Sequence, residues 1–212
     1  MVQYKLYYFN FTGRGEPIRL LFAYGGIPFE DFRFEWEDWP AIKPNMPIGT
    51  IPVLEIDGKP FWQTTPLCKY VANSLKLDGK DGLENLSIDC VVDTLWDLLS
   101  SVYTRFKESD EERKKQIEKT LYEQVPVILG KFDENVKKNG FIALNRLTWA
   151  DIVFLSAYED LMNLVPEKNV FEQYPALIKL KDKILESENI REYLRKRPAS
   201  KIPKTYDLKN DF

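Results

Sequence analysis

Histidine is absent from all 212 residues. That removes Ser–His and Cys–His nucleophile pairs and the usual histidine-bearing zinc sites. Cysteine is scarce. Cys68 and Cys90 stand alone, with no CxxC dithiol and too few thiols for a disulfide-stapled secreted scaffold. No apolar run approaches the roughly 18 residues of a membrane span. The opening Met1-Val2-Gln3-Tyr4-Lys5-Leu6 lacks the basic-then-apolar order of a signal peptide. Together these favour a soluble cytoplasmic protein with no membrane partner. Excess basic charge is missing too: a net charge of −3 and a pI near 5.3 argue against nucleic acid as the main partner. Acid–base chemistry must therefore come from Tyr, Lys, Asp, Glu or Arg, or from a bound cofactor.

What is present is a globular composition, 44% hydrophobic and 30% charged. The first 75 or so residues mix strands and helices. Tyr4-Lys5-Leu6-Tyr7-Tyr8-Phe9 reads as a buried strand, broken by Asn10 and Thr12-Gly13-Arg14-Gly15. Pro17 suits a first helical turn, Ile18, Leu21 and Phe22 share a face, and Gly25-Gly26 stops the helix. Phe32 and Phe34 alternate with charge as a second strand. Val53 to Ile56, Asp57-Gly58 and Lys59 to Trp62 read as a hairpin with a favoured two-residue turn. Thr64-Thr65-Pro66 opens another helix. This βαβ–ββα order predicts an α/β, thioredoxin-like N-terminal domain with a mixed sheet.

The pattern then turns wholly helical. Asp89 to Phe106 is long and amphipathic, Ser109 with Glu112 reads as a capping box, and Pro126 is expected to kink or end the helix that follows. Thr148-Trp149-Ala150-Asp151 is a second capping box, ahead of Ile152-Val153-Phe154-Leu155, a run apolar on all sides and so central. The expected division is 1–76 as the thioredoxin-like domain, 77–84 as linker and 85–212 as an all-α C-terminal domain, its charged tail 199–212 on the surface.

Taken in this order, the residues resemble the sigma-class cytosolic glutathione transferases, of invertebrate type. Tyr4 to Asn10 with Gly13-Arg14-Gly15-Glu16-Pro17-Ile18-Arg19 is similar to that family's first strand and helix. Glu37-Asp38-Trp39-Pro40-Ala41-Ile42-Lys43-Pro44 is similar to its glutathione-binding segment, and Met46 to Glu55 to its proline turn and third strand. Val92-Asp93-Thr94 and Leu147 to Asp151 match its helical half.

The resemblance implies a homodimer with glutathione as co-substrate, whose thiol must be ionised near neutral pH. A free thiol has a pKa of about 8.5, so majority ionisation at pH 7 needs a fall of roughly two units, or ~2.7 kcal/mol. A hydrogen bond to a charged group supplies about 1.5–3 kcal/mol. By resemblance Tyr8 donates that bond, and Arg14 adds charge. The neighbouring Tyr7 points to the other face and is expected to be the core member of the pair.

Glutathione would be held by Trp39 and Lys43 at its glycyl end, by the Ile51 backbone before a cis Pro52, and by Gln63 and Thr64 at a helix N-terminus. Asp97 matches an acid that reaches the ligand of the partner subunit. Judged alone, Lys43 and Asp97 also fit solvated surface charges.

Some positions depart from the family pattern. Thr64 replaces a serine and keeps its hydroxyl, whereas Thr50 replaces a longer polar residue. Trp96 interrupts the acids Asp93 and Asp97, so no metal is expected there. Cys68, in a helix body, is expected to be core. Candidates for a hydrophobic electrophile site are Phe9, Arg14, Leu99, Tyr103 and Phe106, which fit ordinary core equally well.

The implied activity is conjugation of glutathione to hydrophobic electrophiles such as lipid-peroxidation aldehydes and xenobiotics. Glutathione-dependent isomerisation of prostaglandin H to D needs the same thiolate. A third reading is a ligand-binding or structural, crystallin-like relative of low activity; retention of Tyr8, Arg14, Trp39, Lys43, Gln63 and a hydroxyl at Thr64 speaks against it. A thiol-transferase would need a cysteine at the first helix, and Asn10 to Arg19 contain none.

Overall fold

A computed structural model describes residues 2–165 and 169–199. The chain forms two compact units, residues up to 78 with 185–199, and residues 79–184. The first therefore takes in a helix that the boundaries read from sequence assign to the helical half. The tail expected on the surface lies, Ala199 apart, outside the described residues.

In the first unit the elements are β1 (Tyr4–Phe9), α1 (Glu16–Tyr24), β2 (Glu30–Phe34), α2 (Trp39–Ile42), β3 (Val53–Ile56), β4 (Lys59–Trp62) and α3 (Thr64–Ser74), with α8 (Glu188–Lys196) returning from the far end of the chain. The sheet order is β2-β1-β3-β4. β1 pairs parallel with β2 and antiparallel with β3, so the sheet is mixed. The hairpin turns on Asp57 and Gly58, both left-handed at φ 50° and 78°, the pair of values a tight hairpin needs.

One face of β1 carries Tyr4, Leu6 and Tyr8 toward α1: Tyr4 meets Phe22, and Leu6 is fully buried. The other carries Lys5 and Tyr7. The expected assignment of the tyrosine pair is reversed here. Tyr7 does point away from Tyr8, but it is half-buried, packed on Phe32 and donating to Glu55 at 3.0 Å. Tyr8 is the buried one, 6% exposed. Helix α1 covers Tyr8's face, whereas Lys5, Phe32 and Glu55 surround Tyr7 with a wetter one. Burial and the Glu55 carboxylate raise the Tyr7 phenol above its ordinary value.

The second unit contains α4 (Gly82–Lys107), α5 (Glu111–Asn139), α6 (Trp149–Leu164) and α7 (Pro175–Ile184). Helix α4 opens inside the expected linker, because Asp81 accepts the N–H groups of Leu83 and Glu84. Helix α5 departs from expectation at its cap. Its cap is Asp110, which accepts from Glu112 and Arg113, rather than Ser109; a carboxylate is the stronger acceptor, and these amides hold it below its ordinary pKa. Pro126 does not end it. Pro126 is exposed, and Leu121, Val125, Leu129, Phe132 and Val136 stay buried on either side. That burial outweighs the roughly 3 kcal/mol a proline costs inside a helix.

Helix α6 is the centre of this unit, with Trp149, Ile152, Val153 and Phe154 almost wholly buried. The Thr148–Asp151 capping box forms as the sequence indicates. Burial raises the Asp151 carboxyl to about 6, against the opposing pull of donors from Ile142 and Thr148.

Candidate active site

The turn after β1 is built around Tyr8. Its hydroxyl oxygen accepts the backbone N–H of Arg14 at 2.9 Å. The same residue's carbonyl accepts the Thr64 hydroxyl at 3.2 Å, so Tyr8, Arg14 and the start of α3 are joined through one residue's backbone. Two glycines make the approach possible. A Cβ on Gly15 would lie 2.4 Å from Tyr8 Cγ and Cδ1, and one on Gly13 only 2.8 Å from the hydroxyl oxygen. Gly13 is also left-handed, at φ 55°.

Next to Tyr8 lies a ring cluster. Phe9 is buried and meets Phe11, Phe34, Trp36 and Trp39. Trp39, from α2, lies parallel to Phe34 at 6.0 Å, and no hydrogen bond of its indole N–H is found among the described residues. Lys43, one residue past α2, is half-buried with its stem along Gly49, and no ion pair of it is found among the described residues. Thr50 is exposed, and Ile51 packs against the ring cluster ahead of a cis bond to Pro52.

The N-terminus of α3 is the second anchor. Gln63 is exposed at φ 76°, ψ 125°, outside the regions a side chain favours. Strain of this kind is stored where the surroundings over-determine it. Pro66 has no N–H, and the Leu67 N–H is used by the Gln63 carbonyl. Thr64 and Thr65 therefore carry the first-turn amides that can meet a carboxylate. Thr64 itself is 3% exposed with its hydroxyl hydrogen directed inward.

Asp97, Leu99, Tyr103 and Phe106 belong to the second unit, all on α4. Asp97 is exposed beside a groove that Ser101, Glu123 and Val127 also line. Leu99 is core, 1% exposed. Tyr103 donates to Asp160 at 2.6 Å, and Phe106 is half-buried. Cys68 is fully buried, and desolvation pushes its thiol far up. Cys90 is exposed.

Sequence reasoning missed Glu16 and Arg19, both fully buried, with the Arg19 guanidinium over the Tyr8 ring. The available signal was their setting: Pro17, Ile18, Leu20, Leu21 and Phe22 leave α1 no polar face in its first turns.

Residues 4–73 match the family model "Glutathione S-transferase, N-terminal domain", and residues 96–197 match "Glutathione S-transferase, C-terminal domain". The chain belongs to the glutathione S-transferase family and is a transferase by that membership. A glutathione S-transferase of Anopheles gambiae is 40% identical over 95% of this chain and 100% of its own length. Hematopoietic prostaglandin D synthase of Rattus norvegicus is 36% identical over 95% of this chain and 100% of its own. A solved structure of prostaglandin synthase D from Nilaparvata lugens matches with a TM-score of 0.87 and 41% identity, covering 95% of this chain and 100% of that one.

Proposed function

We propose that the chain is a sigma-class, cytoplasmic, homodimeric glutathione transferase of detoxification, with Tyr8 as the group that activates the glutathione thiol. The observation that carries this reading is the Arg14 N–H on the Tyr8 oxygen. A phenol that accepts one hydrogen bond is polarised to donate its own hydrogen more strongly. Directed at sulfur, that hydrogen stabilises the thiolate, whose proton passes to solvent. The thiolate then forms the S–C bond to a hydrophobic electrophile. A leaving group departs with the displaced electron pair, or, for an unsaturated aldehyde, the α-carbon takes a proton from water.

In this reading residues 1–76 bind glutathione and 85–212 supply the hydrophobic substrate site. The amides of Thr64 and Thr65 with the Gln63 side chain hold the γ-glutamyl carboxylate. Ile51 pairs with the cysteinyl backbone as an added strand, ahead of Pro52. Trp39 and Lys43 hold the glycyl end, and Arg14 sits beside sulfur. Thr50, short and exposed, adds a minor contact. Phe9 and Arg14 in the first unit, and Tyr103 and Phe106 in the second, are the proposed electrophile residues; Leu99, buried in the core of its own unit, is not among them. Phe61, Trp62 and Tyr70 expose aromatic surface on β4 and α3, and Val127 exposes an apolar side chain on α5, surface that favours a homodimer. Asp97 would then reach the partner's ligand. Free thiols at Cys68 and Cys90 fit a reducing compartment.

Retention on immobilised glutathione tests the binding half; flow-through of folded protein would favour the structural reading. The Tyr8→Phe variant tests the chemistry. Turnover of a chlorinated aromatic near neutral pH should fall by roughly ten- to a hundredfold with glutathione affinity little changed, and an unchanged rate removes the role. The relatives named as prostaglandin synthases favour prostaglandin H isomerisation as a second reading. Assay of prostaglandin H beside an unsaturated aldehyde separates the two.

A further inference from the structure

Beneath Tyr8 lies a charged cluster. Arg19, fully buried, sends its guanidinium to four acceptors: Asp31 at 3.0 Å, the Phe11 carbonyl at 2.9 Å, the Phe9 carbonyl at 3.0 Å and Glu16 at 3.4 Å. The two carbonyls belong to the segment that leaves Tyr8, and the guanidinium carbon stands 5.6 Å from the Tyr8 ring centre. Across the parallel pair, Tyr8 is in register with Arg33 and Leu6 with Asp31; Arg33 in turn donates to Asp31 at 2.7 Å.

The other side of the cluster is α8. The carboxylate of Glu16 has no exposed surface and accepts the Tyr193 hydroxyl at 2.9 Å and the Arg197 guanidinium. Tyr193 also accepts from Arg33 at 3.1 Å. Burial and the Glu16 carboxylate raise the Tyr193 phenol above its ordinary value, so it stays a donor. Among the described residues the cluster thus sets the guanidinium groups of Arg19, Arg33 and Arg197 against the carboxylates of Glu16 and Asp31.

Burying such charges is costly, and an apolar core would hold α8 to α1 as well. What an apolar core would not supply is a fixed pair of donors on the carbonyls of residues 9 and 11, or a positive centre behind the phenol. We infer that Arg19 is a positioning residue for Tyr8, and that helix α8, through Tyr193 and Arg197, holds Arg19 in place by clamping Glu16. This rests on the reading of Tyr8 as the activating phenol. The far end of the chain then sets how well the phenol stabilises sulfur's charge, acting through Glu16 and Arg19.

The test uses Tyr193→Phe, which removes one hydroxyl and keeps the ring, in the parent and in a Tyr8→Phe background. Thiolate formation in the glutathione complex is followed by its ultraviolet absorbance against pH, beside kcat/KM and glutathione affinity. In the parent, kcat/KM near neutral pH should fall roughly three- to tenfold, with the ionisation midpoint moved upward and affinity within about twofold. In the Tyr8→Phe background the same change should have no effect, because the phenol it positions is gone. Arg197→Gln should behave like Tyr193→Phe, and Arg197→Lys should recover most of the loss. An equal loss in both backgrounds, or a lower melting temperature with an unmoved midpoint, overturns the inference and leaves α8 a structural brace. If Tyr8→Phe itself leaves the midpoint unmoved, the reading of Tyr8 fails and takes the inference with it. If Tyr8→Phe moves it and Tyr193→Phe does not, the inference alone fails.

Discussion

Gly15 faces the ring of Tyr8 so closely that a single methyl group on it would stand 2.4 Å from two ring carbons. The ring would have to move. Gly15→Ala is therefore expected to displace the phenol from its place beside Arg14 and lower kcat/KM by about tenfold or more, since ångström-scale misplacement of a reacting group is that costly. Overpacking should also cost about 1–3 kcal/mol of stability. Steady-state kinetics with a thermal melt checks both; wild-type activity would mean that the ring's position is not critical.

Lys43 should act on binding alone. Lys43→Gln is expected to weaken glutathione affinity roughly three- to tenfold while leaving kcat at saturation intact. Added salt should weaken binding to the parent more than to the variant. Calorimetry at two ionic strengths would show this, and equal salt dependence would place the lysine outside the site.

Asp151 carries a pH signature. Burial raises its carboxyl to about 6 in the folded chain, above the unfolded value of about 3.9. The folded state therefore holds the proton more tightly. This contribution to stability is complete below about pH 4 and is lost as pH rises through 6. Between those limits, unfolding free energy of the parent relative to Asp151→Asn should fall by on the order of 2–3 kcal/mol. Denaturant titrations of both proteins across the range would reveal it, and parallel curves would contradict it.

Cys68 should be inert. With no exposed surface and its thiol pushed far above the ordinary range, it should resist a thiol reagent in the native protein and react once denaturant is added. Mass spectrometry of the labelled peptide distinguishes it from Cys90, and rapid native labelling at Cys68 would show the core of α3 to be open.

Local chemistry made much of this fold legible. The Asp57-Gly58 turn, Pro17 in a first turn and the Thr148 capping box are each determined within a few residues. The sequence was less informative where a neighbour distant in the chain decides. Tyr7 and Tyr8 alternate identically on paper, and it is α1 covering one face that buries Tyr8. Pro126 reads as a breaker until the buried row on either side is seen. Of the proposed site, Tyr8, Trp39, Lys43 and Gln63 were named through family resemblance, whereas the glycines' contact with the ring and the Glu16–Arg19 pair arise from tertiary packing. A Glu and an Arg three apart on a helix look like surface charges until Tyr193, 177 positions beyond Glu16, closes over them.

That last helix has a consequence for synthesis. The unit that carries Tyr8 includes residues 185–199, so on a ribosome its early strands emerge long before the piece that covers Glu16 exists. A fragment ending at Asp78 would leave the buried Glu16 carboxylate without its Tyr193 and Arg197 donors, while Arg19 keeps its acceptors. The unit that carries Tyr8 is thus completed only once residues 185–199 have been made, and a ribosome stalled before them would display a sheet whose charged underside is still open to water.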